Sequence, residues 1–235
     1  MEFKEVFLDK IKQAQITLTE RQIDQFVRYY ELLTETNKVM NLTALTESED
    51  VAVKHFIDSL TVYDGAMHNA TLADVGTGAG FPGVPLKIYD SSIKITLLDS
   101  LAKRLKFLET LTGELGLQNI VRIHARAEDG GRDKKLREQF DFVTARAVAR
   151  LNVLAEFCLP LVKVGGRFIA MKGEAAEEIR EAEQAIALLG GRIAGIKDIK
   201  LPNLADRRTL VIVEKIKTTP NKYPRKAGMA AKEPL

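Results

Sequence analysis

Apolar residues recur at Ile23, Phe26, Val27, Tyr30 and Leu33 in TERQIDQFVRYYELL, the spacing of one helix face. Thr19 and Gln22 stand where a capping box would start that helix. A second box at Thr46 and Glu49 precedes DVAVKHFIDSL, which predicts another helix. Between them, NKVMNLTAL mixes polar and short apolar residues and reads either as a simple connection or as a loop facing a site. From residue 71 the period changes. TLADV, IKITLLD, IVRIH, DFVTAR and GRFIAMK read as strands, alternating with helical stretches. The helix after Asp99 carries Leu101, Leu105, Leu108 and Leu111 and stops at Gly116; another runs from about Ala175 to Leu189, before Gly190 and Gly191. RIAGIKDIK and TLVIVEKIK predict two late strands, joined by LPNLADRR in an antiparallel return.

This order predicts an α/β fold of the Rossmann-like kind, a mainly parallel twisted sheet with helices on both faces. Residues 1–65 form a helical cap, residues 66–217 the core, and residues 218–235 a basic C-terminal tail. With 235 residues, 46% of them hydrophobic, the chain can bury one substantial core. No apolar run is long enough to span a bilayer, and MEFKEVFLDK lacks the apolar centre of a signal peptide, so the expected location is cytoplasmic. Cys158 has no partner for an internal disulfide, and with His55, His68 and His124 it makes no metal-ligand spacing, so no metal is expected. The bland reading of Cys158 is a buried small hydrophobe.

The formal charge is only +3, but it is unevenly placed. Residues 192–235 carry eleven Lys or Arg against four Asp or Glu, a local +7 that suits contact with a polyanion or, equally, a solvated surface.

The candidate chemistry begins in LADVGTGAGFPGVPL, with glycines at 76, 78, 80 and 83 after a strand. Gly78, Gly80 and Gly83 fit the dinucleotide spacing, and Asp99 lies about 20 residues beyond Gly78, where a ribose-binding acid belongs. Two features oppose a pyrophosphate: Asp74 places a carboxylate at the loop, and Pro82 and Pro85 remove N–H donors. No Gly-Lys-Ser/Thr follows, which excludes a Walker A loop. S-adenosyl-L-methionine fits better, because it has an adenosine to hold, no phosphate, and cationic sulfonium and ammonium groups. A glycine-rich turn without a ligand and a nicotinamide-dependent oxidoreductase are the competing readings.

Ligands of such sheets sit beyond the carboxyl ends of the strands. Asp74, Gly76 and Gly78, then Asp99, then Ala127 and Glu128, then Arg146 follow four successive strands. Each has an ordinary alternative. Asp99 can cap the next helix, Glu128 can be a surface acid, and Arg146, between apolar stretches, needs an acceptor in either the cofactor or a substrate base.

Eight motifs give a wider resemblance: NLTA (41–44), HFIDSL (55–60), DVGTGAGFPGVPL (74–86), LLDS (97–100), RAE (126–128), TARAVA (144–149), MKG (171–173) and PRKAG (224–228). Together they resemble the RsmG (GidB) family of bacterial 16S rRNA guanine-N7 methyltransferases along essentially the whole chain. The resemblance implies a class I methyltransferase using S-adenosyl-L-methionine, with Gly76, Phe81, Ala127, Glu128 and Arg146 at cofactor positions. It also implies 16S rRNA or the small ribosomal subunit as partner. Relatives usually continue PRKAG with Thr-Pro, where this chain has Met229 and Ala230.

Guanine N7 keeps a free lone pair, so attack on a methyl sulfonium needs no prior deprotonation, consistent with the lack of a conspicuous catalytic His or Cys. The Asn/Asp-Pro-Pro-aromatic signature of many amino-group methyltransferases is absent. Arg146 is expected to place base or cofactor, with His55, Asp58 and Asn41 shaping the substrate pocket. Lys172, Arg207, Arg208, Lys222, Arg225 and Lys226 are the expected RNA contacts. A monomer suffices for this chemistry. A non-catalytic RNA-binding relative and a small-molecule methyltransferase remain the other readings.

Overall fold

The computed structural model describes residues 2–205 and 207–235. Its centre is a seven-stranded sheet of β1 (Thr71–Val75), β2 (Lys94–Asp99), β3 (Ile120–His124), β4 (Phe140–Arg146), β5 (Val162–Lys172), β6 (Gly191–Ile199) and β7 (Arg208–Lys215). The spatial order is β3-β2-β1-β4-β5-β7-β6. The first five strands are parallel, while β7 runs antiparallel to both β5 and β6. The strand order reverses between β1 and β4, so a crevice opens beyond their carboxyl ends. Register aligns these ends: Val75 pairs with Leu98, Asp99 with His124, and Arg146 with Met171.

One sheet face is covered by α1 (Phe3–Gln13), α2 (Glu20–Met40), α5 (Gly83–Tyr89) and α6 (Ala102–Glu114), together with a continuous helical run. That run comprises α3 (Ser48–Asp50), a π-helical stretch (Val51–Ile57) and α4 (Asp58–Leu60). Phe7, Phe26, Tyr29 and Phe56 are completely buried where these helices meet. Each such side chain contributes about 1.5–3 kcal/mol through removal of apolar surface from water. The other face carries α8 (Leu151–Cys158), α9 (Ala176–Leu188) and a second apolar cluster; α7 (Ala127–Arg132) follows β3. Cys158 is buried there.

The Thr19 and Gln22 capping box forms as the sequence predicts. The one predicted at Thr46 and Glu49 does not: α3 begins at Ser48 with Glu47 as its N-cap and no side-chain cap, so Thr46 stands one residue too early, and the Glu49 carboxylate pairs with Lys10, 2.8 Å away. The helical cap is also tied to the core by polar contacts. Gln22 Nε2 donates to the carbonyls of Ile88 and Tyr89, and Tyr29 Oη donates to Ala79 O at 2.6 Å, inside the glycine loop.

Residues 218–235 lie along the core rather than away from it. Tyr223 and Ala230 are buried, and Arg137 donates to the carbonyls of Thr219 and Tyr223 at 2.7 and 2.8 Å. The short helix α10 (Met229–Lys232) follows. No helix among the described residues is long and apolar enough to cross a membrane.

Candidate active site

Beyond the ends of β1, β2 and β4 lie two cavities that share Ala147. The first, of about 360 Å³, runs past Gly76, Asp99, Ala127 and Glu128 and is bounded by Val148 and Gly228. Gly76 and Thr77 donate their amides to Leu98 O, which folds the glycine loop back across β2. Gly76 has φ +68°, and a Cβ there would stand 2.6 Å from Val148 Cγ2. Conformation and close approach both require glycine at this position.

Asp99 is almost fully buried and holds the loop by accepting from Gly78 N and Leu101 N, each at 2.9 Å. It therefore anchors the next helix while bordering the cleft. Its carboxylate oxygens retain lone pairs for hydroxyl donors. Glu128 is not a surface acid: it is 4% exposed, and its Oε1 accepts from Gly228 N at 2.8 Å.

Asp74, expected at the mouth of the loop, lies beneath it. Its Oδ2 accepts from Thr77 Oγ1 and Gly83 N, and burial pushes its carboxyl up to about 6 against those hydrogen bonds. Phe81 is likewise internal, stacked on Tyr29 and, at 4.4 Å between ring centres, on His55. Neither side chain lines the cleft.

The second cavity, about 310 Å³, contains His55, Asp58, Arg146, Lys172 and Arg208. Arg146 belongs here and does not line the first cleft. Its Nη1 donates to Lys54 O and Asp58 Oδ2 at 2.9 and 3.0 Å, its Nη2 to His55 Nδ1 at 3.1 Å, and its guanidinium lies over the Phe81 ring. With Nδ1 accepting, the His55 proton sits on Nε2 and is donated to Thr43 Oγ1, 2.8 Å away. Burial, followed by the Arg146 charge, pushes the His55 imidazole down to about 3, so it is neutral at physiological pH. Burial raises the Asp58 carboxyl, opposed by Arg146.

The π-helical stretch explains how one segment supplies both Lys54 O and His55 to a single guanidinium; such widened turns recur at functional sites. Asn41 does not join this group. It ends α2 in the left-handed conformation at φ +51°, is exposed and lines neither cavity, whereas Thr43, two residues on, reaches His55. Thr43 lies within the NLTA motif, but no periodicity singles it out. Ala147, with φ +55°, and Val148 lie within the TARAVA motif, but nothing in the pattern singles them out, since their importance comes from how the chain leaves β4.

The basic candidates divide. Lys172 is held by Glu178 and Ala149 O, and Arg208 lies 3.9 Å from Asp58; both line the second cavity. Arg207, Lys222 and Lys226 are exposed. Arg225 turns inward onto Glu156, whose nearly inaccessible carboxylate needs a counter-charge. Among the described residues, no group of three or more His, Cys, Asp or Glu is placed to hold a metal.

Solved structures share the fold. The 16S rRNA (adenine(1408)-N(1))-methyltransferase from Catenulisporales acidiphilia, solved with its cosubstrate SAM, gives a TM-score of 0.52 at 16% identity, covering 66% of this chain and 89% of that one. The TYW2 protein of M. jannaschii, solved with AdoMet, also gives 0.52, at 17% identity over 63% of this chain and 70% of that one. Sequence relatives are much nearer. Ribosomal RNA small subunit methyltransferase G of Leuconostoc citreum is 53% identical over 98% of both chains, and that of Clostridium botulinum strain Alaska E43 is 48% identical over 100% of both. The family described as "GidB: rRNA small subunit methyltransferase G" matches residues 22–210. With its sheet, its glycine loop and its full-length relatives in agreement, the chain belongs to the rRNA small subunit methyltransferase G (GidB) family.

Proposed function

We propose that the protein transfers a methyl group from S-adenosyl-L-methionine to N7 of one guanine in 16S rRNA of the small ribosomal subunit, acting as a cytoplasmic monomer. The observation that carries this reading is the pair of cavities meeting at Ala147, one lined by Gly76, Asp99 and Glu128, the other by Arg146 and basic side chains; Gly78 stands in the same loop outside that lining. The residues present fit the cofactor. Asp99 ends β2 with lone pairs facing a cleft of about 360 Å³, within the range of small-molecule sites, and the Gly78 backbone is open where a side chain would begin. Gly76, Gly78, Asp99, Ala127 and Glu128 would hold it, and when bound it supplies an electrophilic methyl on a sulfonium.

The second cavity receives the base. Five N–H groups belong to a guanidinium, and three of those on Arg146 are occupied by Lys54, Asp58 and His55. The remaining two can donate to guanine O6, beside N7. Arginine commonly takes both O6 and N7 of guanine. Here a bond to O6 alone leaves the N7 lone pair free to attack. No side chain removes a proton, so the contribution of the chain is alignment and exclusion of water. Neutral His55 and the Asp58 carboxyl fix the guanidinium. Asp74 and Phe81 support the loop and Arg146 from beneath, while Lys172, Arg207, Arg208, Lys222 and Lys226 meet RNA phosphates.

The test is transfer of labelled methyl to small subunits that lack the modification, with the labelled nucleotide mapped. Label on one guanine N7 is expected; label on another atom or another base, or none with intact subunits and bound cofactor, overturns the reading.

A further inference from the structure

The C-terminal segment was expected to meet RNA, yet its central arginine is committed inside the protein. Glu156 on α8 is 1% exposed, and one carboxylate there receives four donations from Arg225. The Arg225 backbone amide and Nε reach Oε1 at 2.7 and 3.0 Å, while Nε and Nη2 reach Oε2 at 3.1 and 2.6 Å. The same guanidinium donates from Nη2 to Glu233 O at 2.8 Å. One side chain thus fastens both ends of the turn spanning residues 225–233. An acid so deeply buried is costly unless fully paired, so the arrangement demands this docking.

What the docked turn presents is informative. Gly228, at φ +85°, gives its amide to Glu128 Oε1, and Gly228 and Ala231 line the first cleft opposite the ends of β2 and β3. A Cβ at Gly228 would meet nothing within 4 Å, so glycine serves the backbone conformation there rather than space. Glu128 links the two sides: it borders the cleft from α7 and holds the turn across it.

The geometry points to Glu156 and Arg225 as positioning residues for the cofactor, seating Gly228 and Ala231 as the outer wall of its cleft. This rests on the reading of that cleft as the S-adenosyl-L-methionine site. The cationic tail accordingly has two jobs: Arg225 builds the wall, and exposed Lys222 and Lys226 remain for RNA.

Calorimetric titration with S-adenosyl-L-methionine tests the proposal on the full chain. Ala231 is exposed apart from facing the cleft, so Ala231→Phe narrows the site without disturbing the core. Its dissociation constant should rise roughly tenfold or more, as expected when a bound ligand must displace packed side-chain volume. Lys232→Phe, one residue on and outside the cleft, should bind like the parent. Arg225→Met should weaken binding similarly, with Arg225→Lys recovering part of it, and each melting temperature recorded to separate misfolding from a displaced wall. Parent-like cofactor affinity in folded Arg225→Met, or in folded Ala231→Phe, overturns the wall. Failure of the parent itself to bind S-adenosyl-L-methionine overturns instead the assignment of the cleft.

Discussion

His55 shows how burial assigns a role. Its neutral ring accepts from Arg146 and donates to Thr43, and its titration is pushed down to about 3. The folded state binds fewer protons than the unfolded chain between that value and the ordinary 6.5, so its contribution to stability is full above pH 6.5 and is lost as pH falls toward 3. NMR of the imidazole should show a neutral Nε2–H tautomer with no titration near pH 6.5; a midpoint near 6.5 would refute this. Gly76 gives a second test. Gly76→Ala must adopt φ +68° and meet Val148 Cγ2, and should destabilise the protein by about 1–3 kcal/mol while weakening cofactor binding. Adding Val148→Ala should return the part due to the clash but not the part due to the backbone. Full recovery, or none, in thermal unfolding and cofactor titration would show that the two contributions are wrongly divided.

At the scale of elements, the strands were legible because alternation and apolar runs report burial directly, and TLADV and IVRIH occupy the residues of β1 and β3. The Thr19 box was legible because its partners lie three residues apart. The box at Thr46 had the same local form and failed because α3 begins one residue later, with Glu47 at its N-cap, while Glu49 pairs with Lys10 from another helix. The π geometry of Val51–Ile57 and the left-handed Ala147 escaped for the same reason: both depend on tertiary contacts that no short window contains. Element packing also makes a prediction. Tyr29→Phe removes the hydrogen bond from α2 to the glycine loop at Ala79 O, and should cost about 1–3 kcal/mol by leaving a buried acceptor unmet. Cofactor affinity should fall with it, because the loop loses its support. Unchanged unfolding and cofactor binding would separate the helical cap from the site.

Over the whole molecule, charge asymmetry left the end of the chain as either a polyanion surface or a solvated one, because composition does not show which cations are already paired. Arg225 is spent on Glu156, while Arg207, Lys222 and Lys226 stay exposed. Reversing those three to Glu should weaken RNA binding and, if each meets a phosphate, lower the log–log salt slope by about 2–3. An unchanged slope would place the RNA elsewhere. The central claim is the division of labour between the two cavities, with cofactor on one side of Ala147 and base on the other. It is tested most directly by measuring cofactor affinity and single-turnover methyl transfer in the same Arg146→Ala protein. Loss of a charged hydrogen bond to the base predicts transfer slowed by roughly tenfold to a hundredfold with cofactor affinity within about twofold of the parent. Transfer at the parent rate, or a loss of cofactor affinity as large as the loss of rate, would contradict the account.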